Sequence, residues 1–369
     1  MYFDYTATTP INPKVLESFI ASCQYYANPN SHHQLGKEAK QEIDEAIISI
    51  KELLKIQNEE LIFTSGSSEA NNLAILGLAQ QYPKKKHIIT TRFEHSSVIA
   101  PINYLQKHGY DIDFVETNEH GEVIVDELIN LISEDTLLVS IIAVNSEIGI
   151  RQPITQISQA LKNKNVFLHV DATQAIGKIP FDFKDIDLVS FTAHKIYGIK
   201  GIGCLVKNPK LKLSPIILGG SSTTKYRSGT PTTQLIVSFA KAIQLAYQDL
   251  MQNYQYVSKL NKALHDALWQ QPNILINSQP TCSPYIFNLS ILNMEADEIQ
   301  KLLSNNGIYV STKSACSSNT AKSLQILNLY HDELRAKTAI RISLSYLTTD
   351  EELEVLIATI IKIAKGELQ

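Results

Sequence analysis

Two residues in the middle of the chain, an aspartate and a lysine, each stand just beyond an apolar run and are of types that can do chemistry together. The run Val166-Phe167-Leu168-His169-Val170 delivers Asp171 at its carboxyl end. A second run closes on Phe191-Thr192 and is followed by Ala193-His194-Lys195 and a turn punctuated by Gly198, Gly201 and Gly203. A lysine amine forms a Schiff base with an aldehyde, and a carboxylate keeps a pyridine nitrogen protonated. Pyridoxal phosphate (PLP) needs both, because the protonated ring then acts as an electron sink. Taken alone, the pair also has an ordinary reading: an aspartate in a turn and a solvated lysine.

A third feature points the same way. Leu61-Ile62-Phe63 reads as a strand, and Thr64-Ser65-Gly66-Ser67-Ser68-Glu69 opens a helix to about residue 81. Ser67 or Ser68 can cap it, and Glu69 suits its first turn. A strand, a small-residue loop and a helix N-terminus form a ready anion site, suited to a phosphate. An ordinary helix cap is the alternative.

These residues need a frame. Strand patterns at 87–90, 111–115, 136–144, 166–171, 188–192 and 203–207 alternate with helical patterns, for example at 96–108 and 154–162. Helices are also expected over 13–26 and 36–54. The alternation predicts an α/β domain with a mainly parallel sheet. Ligands of such sheets lie outside the carboxyl ends of the strands, where Ser67, His95, Asp171, Gln174, His194 and Lys195 fall. One helical stretch, 235–268, leads out of this domain. Strands at 283–290, 309–312 and 339–344, with helices at 296–306 and 350–365, then predict a smaller α+β domain. The expected division is 15–250 for the large domain, and 1–14 with 251–369 for the small one.

The totals narrow the function classes. A net charge of −4 over 369 residues argues against a direct nucleic-acid binder. Lys84-Lys85-Lys86, the sole basic run, reads as a solvated loop. No stretch approaches the roughly 18 apolar residues of a membrane span, and the first residues do not read as a secretory signal. The four cysteines, Cys23, Cys204, Cys282 and Cys316, are far apart. They signal neither a zinc site nor a disulfide framework, so a reduced, cytoplasmic setting is expected. Cys23, Cys204 and Cys282 read as inert buried residues. Cys316 is flanked by Ser314, Ser317, Ser318, Asn319 and Thr320, the composition of a mobile exposed loop.

The ordered motifs resemble those of PLP-dependent cysteine desulfurases of the NifS/IscS kind, within the class V aminotransferase group. The resemblance runs nearly end to end: Asp4-Tyr5-Thr6-Ala7-Thr8-Thr9-Pro10; Asn28-Pro29 with Ser31, His33 and Gly36; Phe63-Thr64-Ser65-Gly66 with Glu69, Asn71 and Asn72; and Glu94-His95. It continues through His169-Val170-Asp171-Ala172-Thr173-Gln174, His194-Lys195-Ile196-Tyr197-Gly198, Arg227-Ser228-Gly229-Thr230, Ser314-Ala315-Cys316 and Arg341 with Ser343-Leu344. Each motif alone is weak; their order is specific.

The resemblance implies a fold type I PLP-dependent transferase that takes sulfur from L-cysteine, leaving L-alanine and a persulfide on Cys316. It implies that Lys195 carries the cofactor and acts as the base at Cα. Asp171 would pair with the pyridinium nitrogen. Gln174 would bond the ring oxygen, and His95 would stack on the ring and move protons. Ser67, Ser68, Thr192 and His194 would hold the phosphate. Thr230 would reach it from a second subunit, making a homodimer, and Arg341 would clamp the substrate carboxylate. Iron–sulfur scaffolds or tRNA-thiolating enzymes would accept the sulfur.

Three places depart from the family pattern. Ser146 stands where a second Asn is usual, with Asn145 or a water as a substitute for its contact. Lys313 stands where Gly is frequent, and Ser345-Tyr346 replace a Gly-Arg pair, removing a positive charge. Another class V reaction, transamination or a selenocysteine-preferring lyase, and a PLP-binding scaffold for sulfur-transfer partners are the competing readings.

Overall fold

The computed structural model describes residues 1–220, 225–312 and 322–368. Its first part is a seven-stranded sheet made of β1 (Glu60–Thr64), β2 (His87–Thr90), β3 (Asp111–Phe114), β4 (Thr136–Ile142), β5 (Phe167–Asp171), β6 (Leu188–Thr192) and β7 (Gly203–Lys207). The order across the sheet is β1-β7-β6-β5-β4-β2-β3. The β3-β2-β4-β5-β6 side is parallel, whereas β7 pairs antiparallel with both β6 and β1. Helices α1 (Pro13–Ser22), α2 (Gln34–Leu54), α3 (Ser67–Gln81), α4 (Ser96–Gln106), α5 (Val125–Leu131), α6 (Ile154–Leu161) and α7 (Thr233–Gln248) accompany this sheet.

Local sequence accounts for these elements. All seven residues of β4, Thr-Leu-Leu-Val-Ser-Ile-Ile, are buried, as for a central strand covered on both faces. β3, at the edge, alternates exposed and half-buried residues. α2 buries Ala39, Ile43, Ala46, Ile50 and Leu54, one stripe at helical spacing. Its first turn is capped by the His33 ring, which accepts from Gly36 N.

The second part follows α8 (Leu250–Leu268). It is an antiparallel sheet of order β10-β9-β8, from β8 (Ile274–Ile276), β9 (Ile286–Ile291) and β10 (Ala339–Ser343). Helices α9 (Ala296–Asn305), α10 (Leu324–Tyr330), α11 (Glu333–Lys337) and α12 (Asp350–Ala364) complete it. A capping box between Thr349 and Glu352 starts α12. The N-terminal segment joins this part through bridges Tyr2 to Tyr309 and Asp4 to Ser343. One apolar cluster runs from Val170 and Phe191 through Phe239 and Val257 to Leu289 and Ile342, linking the two sheets.

The structure corrects several expectations. The stretch 235–268 is two helices separated at Asp249, because Asp249 leaves helical geometry (φ −112°, ψ 17°). Residues 309–312 do not form a strand; Tyr309 and Ser311 make only isolated bridges, to Tyr2 and Arg341. The three-residue β8 and the five-residue α11 are too short to leave a periodic signal. Cys23 is exposed just past α1 rather than buried. Lys85 is not simply solvated: its ammonium donates to the carbonyls of Thr136 (3.0 Å) and Asn165.

Candidate active site

Lys195 ends a single 3-10 turn, Ala193–Lys195, directly after β6. The glycines behind it serve close approach. A Cβ at Gly198 would lie 2.7 Å from Ala193 Cβ, and one at Gly203 would lie 2.6 Å from Gly66 C. The lysine therefore projects from a tightly wound turn, with the start of α3 against β7. Its Nζ donates to the carbonyl oxygens of Thr6 (2.6 Å) and Ala7 (2.7 Å). The N-terminal segment is fastened there by Thr9, whose backbone N and hydroxyl both donate to His194 O, at 3.0 and 2.9 Å.

Asp171 is the last residue of β5 and is buried. Its Oδ1 accepts from Thr173 N at 3.0 Å and its Oδ2 from Asn71 Nδ2 at 2.8 Å. The second hydrogen of Asn71 Nδ2 goes to Ser97 Oγ at 2.8 Å. The Ser97 backbone N–H makes His95 Nδ1 an acceptor, so the Ser97 hydroxyl, 2.7 Å away, donates to it. Ser97 N donates to the same ring nitrogen at 3.1 Å, so His95 is also the N-cap of α4. With Nδ1 accepting twice, the network assigns the proton of neutral His95 to Nε2. Burial holds the His95 pKa below its ordinary value; Lys195 lowers it further and Asp171 opposes.

Gln174 lies one turn beyond Asp171. Its Nε2 donates to Thr6 O at 3.1 Å, the oxygen that also accepts from Lys195. Its Oε1 accepts from Lys178 Nζ at 2.6 Å. Short hydrogen-bonded links thus tie Asp171 to His95 and Gln174 to Lys195, and Gln174 follows Asp171 by three residues.

The phosphate candidates converge less completely. Neither Ser67 nor Ser68 caps α3; Gly66 is the N-cap, without a side-chain bond, and the helix begins at Ser67 itself. The loop is held instead by Thr64 Oγ1 donating to Gly66 O (2.9 Å) and Ser65 N donating to Glu69 (2.7 Å). This leaves the first-turn N–H groups without intrahelical acceptors. Thr192 Oγ1 would be 3.7 Å from a Cβ on Gly66, so its hydroxyl stands beside that helix start, donating to Ile202 O. His194 Nδ1 pairs with Thr8 Oγ1 at 3.2 Å, and burial, then Lys195, pushes its pKa down to about 4. Thr230 is exposed, on a cleft shared with Thr64, Ser65 and Gly201. Arg227 in that cleft is tied to Glu69 by a 3.0 Å ion pair.

Arg341, on β10, is buried. It donates to Asp4 Oδ1 at 2.6 Å and to Ser146 O at 3.0 Å. Its Nε has no hydrogen-bond partner among the described residues, nor does the buried Thr173 Oγ1. Asn145 cannot replace the missing Asn at 146. Its amide donates to Phe93 O and Gln325 Oε1, and its oxygen accepts from Glu147 N and Ile148 N. Ser345 is buried and bonded to Tyr197 at 2.5 Å, and Tyr346 packs on the Tyr197 ring. Lys313 and Cys316 lie outside the described residues.

The residue set fits PLP. It offers a lysine at a strand end, a buried carboxylate held by donors, an open helix N-terminus beside a hydroxyl, and unpartnered buried donors at Arg341 and Thr173. Asn71, Ser97, Thr6 and Lys178 have no expected role in the sequence reading, although Asn71 and Thr6 fall inside its motifs.

The comparisons with known proteins give the chain's family. Residues 1–356 match the family Aminotransferase class-V, whose members are PLP-dependent. The chain is 36% identical over 381 residues to "Cysteine desulfurase IscS" of Vibrio atlanticus, covering all of this chain and 93% of that protein. It is 35% identical over 364 residues to "Cysteine desulfurase" of Homo sapiens, covering 96% of this chain and 79% of that one. Among solved structures it is similar to a "NIFS-LIKE PROTEIN", with a TM-score of 0.92, 35% identity and 99% of both chains covered. It is also similar to "SspA in complex with cysteine", with a TM-score of 0.82, 30% identity, and 94% and 99% of the two chains covered. On this match, which spans nearly its whole length, the chain belongs to the class-V aminotransferase family.

Proposed function

We propose that the chain binds PLP at this site and is a cysteine desulfurase, converting L-cysteine to L-alanine with transfer of the sulfur to Cys316. The observation that carries the reading is the gathering of Asp171, His95, Gln174 and Lys195 through Asn71, Ser97 and the Thr6 carbonyl. Full-length relatives bearing the name cysteine desulfurase support it.

The bound cofactor supplies an electron sink for charge developing at the substrate Cα. The chain's residues do the rest. Lys195 would hold the cofactor and, once released, take the Cα proton. Asp171, kept in place by Asn71 and Thr173 N, would face the pyridine nitrogen. Gln174 would donate to the ring oxygen. The ring of His95, neutral with its proton on Nε2, would stack on the cofactor and donate from Nε2. Ser67, Ser68, Thr192 and His194, with the α3 N-terminus, would hold the phosphate. The unpartnered Nε–H of Arg341 would meet the substrate carboxylate.

In the transfer step the Cys316 thiolate attacks the substrate sulfur and the Cβ–S bond breaks. Its electron pair would take up the proton of the substrate thiol as a new Cβ–H bond and Lys195 would return its proton to Cα, giving L-alanine, while the sulfur stays on Cys316 as a persulfide. A reduced, cytoplasmic compartment keeps that thiol available. The exposed Thr230 would complete the phosphate site of a second subunit in a homodimer. The proposed division is a large PLP-binding domain over 15–250 and a small domain from 1–14 with 251–369. Acceptors for the sulfur would be an iron–sulfur scaffold or a tRNA-thiolating enzyme.

The test is to incubate PLP-loaded protein with L-cysteine and a thiol acceptor and assay alanine. Catalytic alanine release is expected. A protein that shows the cofactor's visible band yet forms no alanine contradicts the reading.

A further inference from the structure

Lys178 follows Gln174 by one helical turn's spacing and is only 6% exposed, yet none of the roles above uses it. It borders a cavity of about 340 Å³ that Lys195, Tyr5, Tyr197, Tyr346 and Asp249 also line. Burying an ammonium group is costly unless its hydrogen bonds are put to use. Burial first, then the positive charges of Lys195 and Arg341, pushes its pKa down to about 7. Charged or neutral, the amine is a donor, and its 2.6 Å contact is with Gln174 Oε1.

An amide has two ends, and here both are specified. Gln174 Nε2 donates to Thr6 O at 3.1 Å, while Oε1 accepts from Lys178. Rotating the amide by half a turn would set Oε1 against the Thr6 carbonyl, two acceptors facing, and, with Lys178 protonated, the NH2 against its ammonium, two donors facing. One hydrogen of Nε2 is used by Thr6, and the other is left for a ligand.

We propose that Lys178 is a positioning residue that fixes the Gln174 amide so that its N–H, not its carbonyl, faces the ring oxygen of the cofactor. The proposal rests on the PLP reading above. The charged and titratable groups around Lys178 are Lys195, Arg341, His194, Asp249 and the tyrosines of the cavity, so its own charge must be separated from its hydrogen bond.

The experiment uses PLP-loaded full-length protein and the pH midpoint of the bound cofactor's visible absorbance band. A hydrogen bond donated to the ring oxygen stabilises its negative charge and lowers that midpoint. Lys178→Met should raise the midpoint by on the order of one pH unit. Gln174→Ala should raise it similarly, and the double variant should show no further rise. Lys178→Arg, which retains a donor, should return the midpoint towards wild type. An unchanged midpoint in Lys178→Met overturns the proposal. So does an equal shift from Lys178→Met in the Gln174→Ala background, since that identifies simple charge repulsion. Absence of a cofactor band in the wild-type protein would instead overturn the PLP reading itself.

Discussion

Asn71 Nδ2 lies 2.8 Å from Asp171 Oδ2, although the two residues are 100 positions apart. The contact is one step of a directional chain through the buried interior. Ser140 Oγ pairs with His169 Nδ1 (2.8 Å), His169 Nε2 with Ser190 Oγ (3.1 Å), and the Ser190 hydroxyl with Asn71 Oδ1. Asn71 then serves both Asp171 and, through Ser97, His95. Burial pushes the His169 pKa down to about 4, so its ring is neutral in ordinary buffers and can both accept and donate.

Asn71→Asp should therefore weaken cofactor binding at least about tenfold. Two carboxylates at this separation cannot both stay ionised, so either Asp171 loses the charge that pairs with a pyridinium nitrogen or the variant residue must hold a proton. Spectral titration of the variant with PLP measures this. Wild-type affinity would show that Asn71 does not support Asp171.

Glu94 carries a pH dependence of stability. Its Oε1 accepts from Thr91 Oγ1 (2.7 Å) and Ile142 N (2.9 Å), while Oε2 has no hydrogen-bond partner among the described residues. Burial pushes its pKa up to about 8; the two hydrogen bonds oppose this and Asp171 adds to it. The folded state thus keeps a proton that the unfolded chain loses above about pH 4.3, so this contribution is full below that pH and is lost as pH rises through the folded pKa. Glu94→Gln, which mimics the neutral acid, should match wild type near about pH 5 and exceed it by a few kcal/mol near about pH 8.5. Urea unfolding across that range checks it. Parallel stability curves for the two proteins would contradict the assignment.

Arg341→Lys keeps a positive charge beside Asp4 but loses the planar fork that suits a carboxylate. The expected result is a rise in the KM for L-cysteine of about 10- to 100-fold, with a smaller change in kcat and a cooperative thermal melt. Steady-state alanine formation reads the first two and circular dichroism the third. A normal KM in the folded variant removes Arg341 from substrate binding.

Much of the frame is legible in the sequence, for physical reasons. Asp171 and Lys195 follow apolar runs whose ends are set by burial, so their places at β5 and just after β6 can be read from hydrophobic pattern alone. The reversed placement of β7 between β1 and β6 cannot, because pattern gives strands but not their pairing. The cap of α3 is not legible either: Ser67 and Ser68 are good capping types, but the loop is closed by Thr64 and Glu69 instead. Asn71 stands within a motif, but its role, like those of Ser97 and Lys178, is not legible because it depends on partners brought in by the fold. The same holds for the N-terminal segment, since the Thr6 and Ala7 carbonyls acquire meaning only where Lys195 reaches them across 189 and 188 positions.

The most direct test of the account is intact mass analysis of PLP-loaded wild-type protein and Cys316→Ser after L-cysteine is added without reductant. The wild type should carry the mass of added sulfur, mapped to Cys316, with alanine released. Cys316→Ser should show neither and should keep the yellow cofactor. Sulfur retained elsewhere, or near-normal alanine turnover by Cys316→Ser, would contradict the account.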